Sequence, residues 1–159
     1  MNRLLMWIQP DNYSSGIGYQ SVQGLYAFGS GGLFGKGLGK SLQKLGFIPE
    51  SQNDMIFSII CEELGLFGAM CIILVFALML WRIIHIAQNA PDLFGTMLAA
   101  GVFAHVAVQV VLNIAVVTNF IPNTGVSLPF ISYGGTASFF LLLEMGIVLN
   151  ISSKIRLER

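Results

Sequence analysis

The 159-residue sequence predicts an all-α membrane protein: three transmembrane helices, at about 55–86, 93–121 and 130–151, and a long extracytoplasmic loop with short interfacial helices. Composition supplies the first reason, because 55% of residues are hydrophobic, 10% are charged and the mean hydropathy is +0.75, well outside the range of a soluble domain of this size. Length supplies the second. Crossing roughly 30 Å of hydrocarbon takes about 20 helical residues at about 1.5 Å each, and three apolar stretches are long enough. Each could alone be a buried core helix, but three in succession leave too little polar surface to cover them.

The same composition excludes other classes. A formal net charge of zero, with no basic face and no aromatic–basic interleaving, sets nucleic-acid binding aside. Cys61 and Cys71 fall inside an apolar run, where a thiol behaves as a small hydrophobe and says nothing firm about redox compartment. The opening "MNRLLMWIQPDNY" lacks the long apolar region and small-x-small cleavage site of a secretory signal, and reads as the tail of an interrupted apolar segment.

Residues 10–46 hold most of the glycine. Within them "YQSVQGLYAF" (19–28) sets Val22, Leu25 and Tyr26 at helical spacing, which suits a short helix on the membrane interface. "GKGLGKS" (35–41) ends as a phosphate-binding loop does, but the first glycine that motif requires is Phe34 and no strand precedes it. Lys36, Lys40 and Lys44, set among unhindered backbone N–H groups, could still meet an anionic headgroup or a pyrophosphate.

At the threshold of the first span, "SQND" (51–54) fits a capping pattern with Ser51 as N-cap and Asp54 at the third helical position. Capping does not account for Glu50, Glu62 and Glu63, which with Asp54 place four carboxylates in residues 50–63. "WRIIHIAQNAPDLFG" (81–95) is a tight hairpin to the second span, on which His105, Gln109 and Asn113 recur four residues apart. That spacing suits interhelical hydrogen bonding, with a substrate groove or proton path as the sharper alternative. Glu144, mid-way along the third span, must face protein rather than lipid. Before it, "PNTGVSLPFISYGGT" (122–136) is either an ordinary turn or a re-entrant, cavity-lining segment presenting Ser132 and Tyr133. Arg82, Lys154, Arg156 and Arg159 lie close to span ends on one side, which tilts the hairpin and tail to the cytoplasm and the long loop outside.

Three stretches together carry a resemblance. "GYQSVQGLYAFGSGGLFGKGLGKSLQKLGFIPE" (18–50), "DMIFSIICEELGLFG" (54–68) and "TGVSLPFISYGGT" (124–136) resemble the C-terminal part of the SEDS (shape, elongation, division and sporulation) family, with "GKGLGKSLQKL" closest to its FtsW and SpoVE branch. The resemblance implies the last three spans of a ten-helix bundle: 1–54 as the end of a preceding helix plus the large extracytoplasmic loop, and 55–159 as the spans and cytoplasmic tail. It implies a multi-pass protein of the bacterial plasma membrane that polymerises lipid II into glycan strands for division, shape maintenance or sporulation. The implied partners are a class B penicillin-binding protein transpeptidase and division or elongation proteins.

By the same resemblance Asp54 is the catalytic acid. Glycosyl transfer needs a base to take the proton of the attacking sugar hydroxyl, a role that contributes typically 10²–10⁴-fold. The leaving lipid pyrophosphate needs charge neutralisation, for which Lys36, Lys40, Lys44 or a divalent cation such as Mg or Mn would serve. Glu50, Ser132 and Tyr133 are further candidates for substrate binding. The sequence departs from the family at one place: the usual P-E-x-H-T-D is Pro49-Glu50-Ser51-Gln52-Asn53-Asp54, keeping the acid and losing the histidine. The alternatives are a lipid II flippase, for which His105, Gln109, Asn113 and Glu144 would matter more, and an inactive remnant that binds a transpeptidase.

Overall fold

The computed structural model describes residues 24, 26–27, 29–37, 39 and 54–155. Glu50, Lys40, Lys44, the Ser51 cap and the Gln52–Asn53 departure lie outside the described residues, as do Arg156 and Arg159. Among the described residues three long helices form an up-down-up bundle: α1 (Ile56–Gln88), α2 (Leu93–Val117) and α3 (Gly135–Ser153). Each is long and apolar enough to cross a membrane.

The core follows the helical repeat. Ala69, Phe76 and Ile83 recur every seventh residue of α1, joined by Ile86 and Ala87, and they meet Ala99, Val102, Val106 and Val110 of α2. Ala69 and Ala99 are small enough to let the two backbones approach closely, and α1 packs mainly along α2. Leu141, Val148 and Ile151 seat α3, more against α2 than against α1.

The helix ends have local causes. Asp92 caps α2 by accepting from Gly95 N at 3.0 Å. The expected second span ran on to 121, but α2 stops at Val117 in a Schellman closure. Asn119 turns left-handed (φ 58°), its N–H donates to Val116 O at 2.9 Å, and Phe120 N donates to Ala115 O at 2.8 Å. The third helix begins at Gly135 rather than 130, because residues 128–132 close on themselves. Leu128 N donates to Ser132 Oγ at 2.7 Å, and Ser132 N returns to Leu128 O at 3.1 Å.

The start of α1 also corrects the expectation. Asp54 lies in a turn ahead of Ile56 rather than inside the helix, and Met55 occupies the N-cap with no side-chain cap bond. The reason is that the Asp54 carbonyl is taken by Asn113 Nδ2 at 2.9 Å, so the ladder closes first on Met55 O, which accepts from Ser58 N at 3.1 Å.

Candidate active site

Three pieces of chain converge at the end of the bundle opposite the 89–92 hairpin: residues 29–37, the start of α1 and the 122–134 segment. The first is built into α1. At Gly65 the helix breaks (φ 71°, ψ −170°), and the amides of Leu66 and Phe67 donate to Gly32 O (2.9 Å) and Leu33 O (3.2 Å) instead of to Glu62 and Glu63. Those two carbonyls accept in turn from Lys36 N (2.9 Å) and Gly37 N (3.0 Å). The glycine-rich loop thus replaces one turn of the backbone ladder, leaving none of these groups unsatisfied. Only glycine allows the approach, since a Cβ on Gly35 would strike the Glu63 backbone and one on Gly65 would strike the Gly35 amide.

The splice fixes side chains as well as backbone. Glu62 is fully buried, and Lys36 Nζ reaches its Oε1 at 2.7 Å while also donating to Ser30 Oγ at 2.9 Å. A buried carboxylate is tolerated when paired and hydrogen-bonded, and Lys36 does both with its ammonium half-exposed. The charge of Lys36 is therefore engaged within the protein.

Asp54 is half-buried, and its main chain is clamped. Asn113, completely buried on α2, donates one Nδ2 proton to Asp54 O (2.9 Å) and the other to Val126 O (2.8 Å). One amide thus ties the start of α1 to the 122–134 segment, which folds into the bundle with Leu128 and Pro129 buried. Sequence reading grouped Asn113 with His105 and Gln109, and its clamping role was missed.

A cleft of about 580 Å³ opens between α1 and the 131–138 segment. Ile56, Ile59, Ile60 and Glu63 form one wall, a single face of α1 at helical spacing. Ser132, Tyr133, Gly134 and Ser138 line the other, so the structure brings the two candidates Ser132 and Tyr133 together with Glu63. Glu63 Oε1 is buried without a hydrogen-bond partner. Ser132 is buried and engaged with Leu128, whereas Tyr133 stands largely exposed at the rim.

The remaining polar residues lie elsewhere. His105 Nδ1 meets Glu144 Oε2 at 2.9 Å across α2 and α3, and Gln109 Nε2 lies 3.0 Å from His105 Nε2. Among the described residues no three His, Cys, Asp or Glu side chains gather to hold a metal ion.

Comparison with known proteins places these features. Residues 1–157 match the family of FtsW, RodA and SpoVE, described as cell cycle proteins. The chain belongs to this family. It is 48% identical over 152 residues to stage V sporulation protein E of Bacillus subtilis (strain 168), covering 96% of this chain and 42% of that protein. It is 44% identical over 157 residues to a probable peptidoglycan glycosyltransferase FtsW of Trichlorobacter lovleyi, covering 99% of this chain and 41% of that one. The FtsW/RodA/SpoVE fold is shared with a chain of a solved peptidoglycan synthase complex that coordinates polymerization and crosslinking. The TM-score is 0.73 at 24% identity, over 99% of this chain and 42% of that chain. An aspartate-to-alanine variant of the rod shape determining protein RodA from Thermus thermophilus superposes with a TM-score of 0.64 at 30% identity, over 85% of this chain and 41% of that one. The chain thus spans about two-fifths of the length of the relatives it matches, and it is a membrane protein of their kind.

Proposed function

We propose that these residues form the acceptor-activating end of a peptidoglycan glycosyltransferase that polymerises lipid II. Family membership and relatives named as probable peptidoglycan glycosyltransferases support the reading. The observation that carries it is the Asn113 clamp, which holds the backbone of Asp54 against the 122–134 segment, two residues ahead of the Ile56 that begins the cleft wall. Asp54 acts as the general base. It takes the proton of the acceptor hydroxyl as that oxygen bonds to the anomeric carbon of the donor, and the bond from that carbon to the lipid pyrophosphate breaks with its electron pair. Lys36, held on Glu62, positions the loop, and Lys40 and Lys44 are left to meet the pyrophosphate. No step here runs through a metal ion.

In this reading residues 1–54 are the end of a preceding helix and the large loop, and 55–159 are the last spans and tail. The loop and Asp54 face outward, where lipid-borne sugars arrive, and the hairpin and Lys154 face the cytoplasm. A class B penicillin-binding protein transpeptidase is the partner, supported by the likeness to a complex that couples polymerization with crosslinking. Transport of lipid II is the second reading, favoured by the His105–Glu144 pair within the spans. Asp54→Asn in a full-length polymerase carrying these residues separates the two. Loss of glycan polymerisation with unchanged thermal unfolding supports the enzyme, and unchanged polymerisation leaves transport or a scaffold.

A further inference from the structure

The glycine-rich loop carries two large apolar side chains that the protein itself does not cover. Leu33 is 65% and Phe34 85% exposed, in a turn flanked by Gly31, Gly32, Gly35 and Gly37. Single exposed apolar residues are common on protein surfaces, so their level in the bundle decides what they mean. The splice sets that level. Gly32 O accepts from Leu66 N at 2.9 Å and Leu33 O from Phe67 N at 3.2 Å, where α1 resumes after its break. From there to Gln88 is about 35 Å of helix, close to the roughly 30 Å of a bilayer's hydrocarbon.

Beyond the break α1 does not continue outward. Asn113 lies about 30 Å along α2 from Leu93, no farther from the hairpin than Gly65 is, yet it bonds Asp54, well upstream of Gly65. Residues 56–64 therefore turn across the end of the bundle, and the loop tip stands level with the end of the spans.

The tip is also built to leave water. The carbonyls of Gly31, Gly32 and Leu33 and the amides of Gly35, Lys36 and Gly37 are all bonded within the protein, the condition for backbone to approach hydrocarbon. Lys36, the charged residue of 29–37, is turned onto Glu62 at 2.7 Å. Leu66 and Phe67 beside the tip and Met70 a turn below are exposed on α1, so the apolar surface of the span continues onto the loop. A protein partner needs a broad patch, whereas two apolar side chains projecting from a turn suit a lipid boundary.

We propose that Leu33 and Phe34 insert among the acyl chains at the bilayer boundary opposite the 89–92 hairpin, and that this contact holds the glycine-rich loop against α1. The occupant is lipid, and the inference stands whether or not Asp54 is the catalytic base.

The test places a nitroxide on Phe34→Cys, and separately on Leu74→Cys, in a full-length polymerase carrying these residues in phosphatidylcholine nanodiscs, with Cys71 and any other reactive cysteine replaced. Oxygen, which partitions into hydrocarbon, should relax the Phe34 label more than a water-soluble nickel chelate does. The label at Leu74, exposed on the span two turns below Phe67, should report a depth about 10 Å greater. A nickel-dominated Phe34 label would place the tip in water, and a label shielded from both would place it against protein; either result overturns the proposal. Equal depths at the two positions would also overturn it. Hydrogen exchange reads the holding role. Phe34→Asp should speed exchange of the Lys36 and Gly37 amides about tenfold, because a carboxylate leaves the lipid boundary and draws the loop off the helix, whereas Phe34→Leu should stay within about twofold of wild type. Phe34 is exposed enough that neither change disturbs the protein's own packing. Exchange in Phe34→Asp equal to wild type would show that lipid does not hold the loop, and would overturn the anchor.

Discussion

Lys36 and Glu62 form a pair whose members sit in unlike surroundings, the carboxylate fully buried and the ammonium half in solvent. Removing the lysine takes from the buried carboxylate the ammonium that Oε1 holds at 2.7 Å. Lys36→Met should therefore lower stability by about 3 kcal/mol, and adding Glu62→Gln should restore most of it, as read by thermal unfolding in detergent. A Glu62→Gln addition that restores nothing would mean the pair is not what holds the loop. Asn113 is likewise singular, since its two Nδ2 protons serve carbonyls from different segments. Asn113→Leu should cost about 2 kcal/mol and lower kcat more than it changes KM, because it loosens the base and leaves the cleft lining in place. The helical repeat explains why the sequence hid this role. Eight residues advance a helix by about 80° beyond two full turns, so Asn113 has drifted from the His105 face into the core. Glu62 and Glu63 are adjacent in sequence and about 100° apart on the helix, one meeting the loop and one the cleft, a division no spacing rule assigns.

At the scale of elements, the break at Gly65 turns one long apolar run into two helices with different duties. Residues 66–88, about 35 Å long, suffice to cross a membrane, and residues 56–64 carry the cleft wall. Gly65→Ala places a Cβ in a backbone region almost closed to other residues and against the Gly35 amide. Hydrogen exchange should show the amides of Lys36, Gly37, Leu66 and Phe67 losing protection together. Gly101→Ala, which meets open space, should leave them unchanged. Independent behaviour of the four amides would mean that the loop and helix are not one unit. The existence of the three helices was legible from apolar length alone. The splice was not, because it is a long-range exchange of backbone partners in which Gly65 reads as one more small residue in a hydrophobic stretch. The Schellman closure at Asn119 and the 128–132 turn shortened the expected spans for the same kind of reason, local hydrogen bonding that hydropathy does not register.

For the whole molecule, the bundle gathers the glycine-rich loop, Asp54 and the 122–134 segment at the end opposite the 89–92 hairpin. The grouping of 124–136 with the first carboxylates was readable through family resemblance, whereas the core-facing positions of three helices apolar on every side were not. What joins them in space, the Asn113 clamp and the cleft between α1 and the 131–138 segment, required the fold. His105 and Glu144, half-exposed on the described helices, satisfy each other across α2 and α3 in a place where an unpaired charge would be costly. They thereby act as an interhelical tie. If Asp54 is the base of a glycan polymerase, the direct measurement is the rate of glycan chain formation from lipid II by a full-length polymerase carrying Asp54→Asn. The rate should fall about 10²–10⁴-fold with lipid II binding and thermal unfolding unchanged. A rate within about twofold of wild type would contradict it, because a general base cannot be replaced by an amide without loss.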